Sequence, residues 1–485
     1  MRLNSFKRLE MIRSSNNLFF IYLALTAIAA CFSIGFYQVD EHFQILEPGA
    51  WKAGWTSAQD LPWEFDKEMR SSVEPFIVYL LIKGLSIINI QNPFAVALVM
   101  RVITAGLCIT CFTLWRRQLK NKPGAGSLLQ YFDAALLLWF IPYMCVRFSS
   151  EIWGGSIFFI SLALVYRRKE LNLQNFFIAG FLAALALFLR PQTALLIAGF
   201  LCYRMIDLKR NYAGLLLYAA GGITMMLFNV FLDHLFYHQW CFTPWNYFAE
   251  NIIHRRAVDF GTEPFYYYFT TVFKNAVPLQ GILIIAAFLV YIAKRFRDEI
   301  SFGVIFFLLG HFIISHKEMR FMFPLIFIIP FVFAYSMQWA SQLRFTGSKI
   351  FKLLVLITIV INSAMLAAVT FLPADSQVAL QRKIYELSGK HSAMVFHESQ
   401  NPYLRVGLNM NFYKNRKMIL LPLDSLSTHI NASKANILIV TRNSSSFTND
   451  TRFHCVYQDV PQWLLNPKFY YFNSKIKVDR IYKKN

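Results

Sequence analysis

The chain alternates long apolar runs with short, strongly polar breaks. The first run, 18–37, follows a basic start that carries Arg2, Lys7, Arg8 and Arg13. Further runs cover 94–115, 131–146, 152–166, 176–189, 194–205, 213–232, 276–293, 302–314, 321–339 and 351–372. A crossing helix needs roughly 20 apolar residues, because in a bilayer each backbone N–H and C=O must find its partner inside the segment. Several runs are shorter and must borrow polar flanks. The pattern predicts an α-helical polytopic membrane protein with about 11 transmembrane helices.

Charge orients them. The basic loops Arg116-Arg117-Gln118-Leu119-Lys120, Arg167-Arg168-Lys169, Lys209-Arg210, Lys294-Arg295-Phe296-Arg297, and Arg344 with Lys349, form one set when all are placed inside. The basic N-terminus joins that set, and the chain first exits near Gln38. Ala27-Ile28-Ala29 resembles a signal-peptide cleavage site. The run stays apolar through Phe36 and many more follow, which favours an uncleaved first helix. Segment 76–90 is apolar but short and carries Lys83; if it crossed, every later basic loop would move outside. It reads as re-entrant or interfacial, or else the charge rule fails here.

Residues 1–372 thus form a transmembrane region with a first outside loop at 38–75. Residues 373–485 lose the apolar pattern and read as a small, soluble, outside-facing α/β domain. Its short strands are expected around Met394-Val395-Phe396, Met418 to Leu421 and Ile437 to Val440. Three glycosylation sequons, at Asn431, Asn443 and Asn449, fall in this part.

Composition agrees. Of 485 residues 56% are hydrophobic and 15% charged, against about 25% charged in soluble domains. The net charge of +21 raises nucleic acid as a partner, but the Lys and Arg residues sit in short loops between apolar runs and leave no basic face to bind it. Cys108-Ile109-Thr110-Cys111 has CxxC spacing inside a span, where small buried side chains explain it better than zinc or redox chemistry. Only Cys241 and Cys455 fall in outside segments, where a disulfide can form.

The unusual polar residues collect on the outside face. Asp40-Glu41-His42-Phe43-Gln44, Glu47, Glu64 and Arg70 lie in the first outside loop. One carboxylate there could act as a base toward a sugar hydroxyl, or the loop could simply be solvated. Ser315-His316-Lys317-Glu318-Met319-Arg320-Phe321 sets three cations around one carboxylate at a span boundary. That group suits a lipid-linked phosphate, with Glu318 holding a cation; snorkelling anchors are the alternative. Arg190-Pro191-Gln192-Thr193 offers an Arg for a phosphate or for one of these acidic residues, or is an interfacial turn with Pro191 starting the next helix, and Arg147 to Glu151 is a similar, less specific group. His234 and His238 are one helical turn apart, with no third metal ligand evident. The aromatic loop 233–275 suits either a bilayer interface or stacking on sugars.

Read together, these segments resemble the mannosyltransferase family that includes the third mannosyltransferase of GPI-anchor synthesis and the lumenal enzymes of the N-glycan precursor. Tyr37-Gln38-Val39-Asp40-Glu41-His42-Phe43-Gln44 with Glu47 is similar to its Pro-Asp-Glu…Gln…Glu signature, with Val39 in place of Pro. Leu61-Pro62-Trp63-Glu64-Phe65 with Arg70-Ser71 resembles its Thr-Trp-Glu-Trp…Arg-Ser stretch. His316-Lys317-Glu318-Met319-Arg320-Phe321 resembles its His-Lys-Glu-x-Arg-Phe motif. The resemblance implies a GT-C fold and inverting, metal-independent transfer of mannose from dolichyl- or undecaprenyl-phosphate mannose to a glycan or glycolipid, without a cofactor. It implies Asp40 as base and Glu41 as acceptor positioner. Arg190, His316, Lys317 and Arg320 would face the donor phosphate, with Gln44, Glu64, Arg70 and Glu318 lining the substrate site. The setting would be the endoplasmic reticulum membrane in a eukaryote, or the inner membrane in a bacterium. The alternative is a transporter or flippase of lipid-linked sugars, which would favour internal repeats and midplane charges.

Overall fold

The computed structural model describes residues 2–167, 172–206, 208–343, 348–389, 393–398, 401–429, 436–442, 450–460 and 478–485. Arg168, Lys169 and Arg344 of the basic loops, and Asn431, Asn443 and Asn449 of the sequons, lie outside the described residues. The chain forms two compact units: Met1–Ser33, Trp63–Ile77 and Leu98–Leu372 in the first, and Ile34–Pro62, Val78–Ala97 and Pro373–Asn485 in the second. All seven cysteines are free thiols, Cys241 and Cys455 included.

The first unit is helical. Among the described residues, the segments long and apolar enough to cross a membrane are Ser15–Phe32, Pro93–Leu119, Tyr212–Tyr237, Met319–Ala340 and Lys349–Ser388. Shorter apolar helices cover Ser150–Val165, Leu173–Leu189, Thr193–Met205, Leu279–Lys294 and Glu299–Ile313. The helix Lys349–Phe371 shows why lipid is the expected solvent. Leu353, Leu356, Ile359 and Val360 are each more than half exposed, an apolar surface that water would penalise and acyl chains would not.

Two runs that read as simple spans are interrupted. Run 131–146 divides into Ala125–Ala135 and Phe140–Met144. The Asn362 side chain repairs the gap: it accepts from the Trp139 N–H at 2.9 Å and donates to the Leu137 carbonyl at 2.9 Å. This is how a helix can break at membrane depth without orphaned backbone groups. Run 321–339 begins as a 3₁₀ stretch, Met319–Ile328, and becomes α-helical only at Ile329–Ala340. Pro324 and Pro330 each remove a donor there. Segment 76–90 falls on the helix Val73–Ile87, whose 15 residues extend only about 22 Å.

Three basic residues at helix ends pair with buried carboxylates. Arg116 reaches both Asp133 oxygens, at 2.9 and 3.0 Å, and donates to Asn16. Arg204 pairs with Glu299 at 2.9 Å and Arg167 with Asp298 at 2.6 Å. Asp298 also caps the helix Glu299–Ile313, accepting from the Ile300 N–H at 3.0 Å.

The second unit carries a five-stranded sheet, ordered β4-β1-β5-β7-β6. Its strands are β1 (Ala393–His397), β4 (Met418–Pro422), β5 (Asn436–Arg442), β6 (Phe453–Gln458) and β7 (Asp479–Lys484). β1 pairs parallel with both β4 and β5, Val395 lying opposite Leu420 and Leu438. β7 runs antiparallel to β5 and β6. Phe396, Ile437, Ile439, Phe453 and Tyr482 form a buried core. A short hairpin, β2 (Leu404–Arg405) and β3 (Leu408–Asn409), precedes β4.

The same unit takes in residues Ile34–Pro62, which follow the first helix. Asp60 accepts from Asn409 and Asn411, each at 2.8 Å. Arg416 lies 4.0 Å from the Trp55 ring centroid. Phe94 stacks on Tyr413 at 4.7 Å. Polar and aromatic contacts thus bind segment 401–418 to loop 34–62, although about 350 residues separate them in sequence.

Candidate functional site

In the first unit, Arg190 ends the helix Leu173–Leu189 in an extended conformation, where Pro191 would disfavour a further helical turn. It is almost wholly buried. Its Nη2 lies 3.2 Å from Glu151 Oε1, and its guanidinium stands 5.3 Å from the Phe321 ring. Gly154 and Gly155, one turn beyond Glu151, make this approach possible. A Cβ on Gly154 would meet Arg190 Cβ at 2.8 Å, and one on Gly155 would meet Pro324 Cα at 2.6 Å.

The segment after Ile314 completes the group. Glu318 accepts from Arg320 Nη2 at 2.8 Å and lies 3.1 Å from His316 Nε2. Arg320 Nε is 3.9 Å from Glu151 Oε1, so one carboxylate is shared between Arg190 and Arg320. His316 Nδ1 bonds the Gly261 carbonyl at 2.9 Å. Lys317 is buried and donates to the Ile314 carbonyl. Burial pushes its ammonium below the ordinary lysine value, with Glu263 opposing. The structure therefore brings Arg190, His316, Glu318 and Arg320 together. Lys317 is beside them in sequence, with its ammonium turned to backbone.

Arg70 and Glu64 form a two-pronged pair at 3.0 and 3.1 Å. Burial is the largest single influence and lowers the Arg70 pKa, but the Glu64 charge and hydrogen bonds, with Tyr247 and Glu151, together raise it above the ordinary arginine value. The Arg70 guanidinium lies 5.1 Å from the Tyr247 ring, whose hydroxyl accepts from Gln192 at 2.6 Å. Asp233 pins the adjoining stretch. It accepts from the Ser72 N–H and hydroxyl, Asn229 and Thr243, at 2.8, 2.6, 2.7 and 3.3 Å.

In the second unit, Asp40 is partly exposed at the start of a π-helical turn, Glu41–Leu46. Glu41 is buried and accepts from the Tyr37 N–H at 3.0 Å; Gln44 is partly buried. Among the described residues no group of three or more His, Cys, Asp or Glu side chains is arranged to hold a metal. His234 instead stacks on Trp240, with centroids 4.1 Å apart.

The model of the Alg9-like mannosyltransferase family matches residues 18–413, which takes in all of these groups. The chain belongs to the Alg9-like mannosyltransferase family. It is 25% identical over 322 residues to GPI mannosyltransferase 3 of Candida albicans, covering 63% of this chain and 61% of that one. It is 26% identical over 396 residues to human GPI alpha-1,2-mannosyltransferase 3, covering 78% and 68%. Against the Candida protein and the similar one of Yarrowia lipolytica, the match spans about 61% of the relative's length. The crystal structure of ArnT from Cupriavidus metallidurans bound to undecaprenyl phosphate superposes with a TM-score of 0.52 at 9% identity, covering 98% of this chain and 97% of ArnT. This likeness shows a GT-C-type fold, and with the apolar helices it makes the chain an integral membrane protein.

The span matched by the family model ends on Tyr413, which stacks on His42 with centroids 5.4 Å apart. Beside it, Glu47 accepts from the Phe412 N–H at 2.9 Å and lies 2.7 Å from His42 Nε2. Residues 42 and 47 are five apart, a spacing that an α-helix does not align. A π-helix, bonded i to i+5, does. Ordinary helical periodicity therefore misses this pair. The carboxylates of Asp233 and Glu151 are equally obscure in sequence, because each is defined by partners distant along the chain.

Proposed function

We propose that this chain transfers mannose from a polyprenyl-phosphate carrier to a glycan or glycolipid hydroxyl, by an inverting, metal-independent displacement. The donor is dolichyl- or undecaprenyl-phosphate mannose. The acceptor oxygen bonds to the sugar C1 as the C1–O bond to phosphate breaks. Asp40 takes the hydroxyl proton, and the polyprenyl phosphate leaves with the bonding pair. Glu41 positions the acceptor, and Gln44 contributes to the same loop. Arg190, His316, Lys317 and Arg320 offset the charge developing on the leaving phosphate. Glu318, Glu64 and Arg70 hold the substrate-binding segments in place.

One observation carries this reading. Arg190 is buried, yet among the described residues its Nε and Nη2 make no aligned hydrogen bond. Buried guanidinium N–H groups normally find acceptors, and a phosphate oxygen is the acceptor that a planar fork suits best. The relatives named as GPI mannosyltransferases support mannose as the sugar. ArnT with bound undecaprenyl phosphate supports a polyprenyl phosphate. We further propose about 11 crossings, the reaction on the non-cytoplasmic face, and residues 373–485 as a small α/β domain outside the membrane. The surrounding lipid is then the remaining partner.

Arg190→Gln tests the phosphate assignment. The variant keeps a donor group but loses the charge and the fork, so the KM for polyprenyl-phosphate mannose should rise about tenfold or more. Unchanged donor kinetics in a folded variant would remove Arg190 from the phosphate site.

A further inference from the structure

We propose that Glu151 is a resident anion of the donor-phosphate site, which disfavours the phosphate product relative to the phosphate donor. This rests on the phosphate role of Arg190 and Arg320 proposed above.

Glu151 sits in the first turn of the helix Ser150–Val165 and is buried. Its Oε1 lies 3.2 Å from Arg190 Nη2 and 3.9 Å from Arg320 Nε. Neither Glu151 Oε1 nor the Arg190 Nε and Nη2 groups make an aligned hydrogen bond among the described residues. The same unit shows what a structural Arg–carboxylate pair looks like. Arg70 grips Glu64 with two N–H groups at 3.0 and 3.1 Å, and Arg116 grips Asp133 in the same way, through Nε and Nη2, each at 2.9 Å. Arg320 has its own aligned partner in Glu318. Glu151 is instead loosely shared between two cations. It keeps the buried guanidiniums from repelling each other, yet gives Arg190 Nε and Nη2 no aligned acceptor.

Such a carboxylate acts unequally on the two ends of the reaction. The donor is a phosphodiester with one negative charge. The product is a phosphomonoester that carries about 1.5–2 negative charges near pH 7, since its second pKa is near 6. A fixed negative charge a few ångströms away in a desolvated site penalises the more highly charged species more. Glu151 therefore lets the polyprenyl phosphate leave once the sugar has moved. A purely structural Glu151 would do the opposite: losing it would misplace both arginines and weaken every phosphate ligand.

The experiment measures inhibition by a short-chain polyprenyl monophosphate, alongside donor KM and kcat, in detergent micelles for wild type, Glu151→Gln and Arg190→Gln. Glu151→Gln should bind the monophosphate about tenfold more tightly, lower the donor KM by a smaller factor and slow turnover as release becomes limiting. Equal or weaker monophosphate binding in Glu151→Gln, with weakened binding in Arg190→Gln, overturns the inference and leaves the phosphate site standing. Unchanged binding in Arg190→Gln overturns the phosphate site itself, and this inference with it. Should Glu151→Gln fail to fold with two unshielded arginines, the charge-balanced Glu151→Gln/Arg320→Gln variant decides. It should recover the monophosphate binding that Arg320→Gln alone loses, and no recovery overturns the inference.

Discussion

Membranes carrying Asp40→Asn should transfer mannose about a thousandfold more slowly than wild type, with donor binding intact. The substitution keeps the size and polarity of the side chain and removes only its capacity to take a proton. The position of Asp40 suits a base, because it is partly exposed at the mouth of a π-helical turn, while its neighbour Glu41 is buried and accepts a backbone N–H. The two adjacent carboxylates thus have different surroundings, and the accessible one is the better candidate for meeting an acceptor hydroxyl. Product formation is measured against donor KM. A loss in kcat at constant KM is the signature of an interaction made only in the transition state. Full activity in the Asn variant would transfer the base role to another group.

Glu47→Ala should cost the second unit about 3–5 kcal/mol of stability. Glu47 is fully buried, and its Oε1 serves both His42 Nε2, at 2.7 Å, and the Phe412 N–H, at 2.9 Å. Truncation strands two donors in the interior, beside the ring stack of His42 on Tyr413 and Tyr413 on Phe94. The Asp40 loop then loses its buried hydrogen bond to segment 401–418, so activity should fall together with the melting temperature. Glu47→Gln keeps an acceptor oxygen and should lose less of both. Thermal unfolding in detergent checks the ranking, and wild-type stability in the Ala variant would show that the clamp is dispensable.

The sequence was legible where local pattern decides the outcome. Apolar runs predict the helices because a bilayer accepts little else, and 94–115 and 351–372 coincide closely with the helices Pro93–Leu119 and Lys349–Phe371. His316 to Phe321 was readable as one group because its members are contiguous. The gap after Ala135 was not, since it depends on Asn362, 223 residues from Trp139. Glu151 read as unspecific because its meaning lies in Arg190 and Arg320. That His42 pairs with Glu47 was not legible, because the turn joining them is π rather than α. Loop 34–62 gave no hint of segment 401–418, because the aromatic and amide contacts that join them follow no sequence period.

Donor choice by the purified protein tests most directly whether its donor is a lipid-linked mannose. Reconstituted in liposomes with a GPI-type glycolipid acceptor, the protein should pass radiolabel from polyprenyl-phosphate mannose to the acceptor. It should pass none from a nucleotide-linked mannose supplied alone. Label transferred equally well from the nucleotide sugar, without the lipid donor present, would rule out a lipid-linked donor.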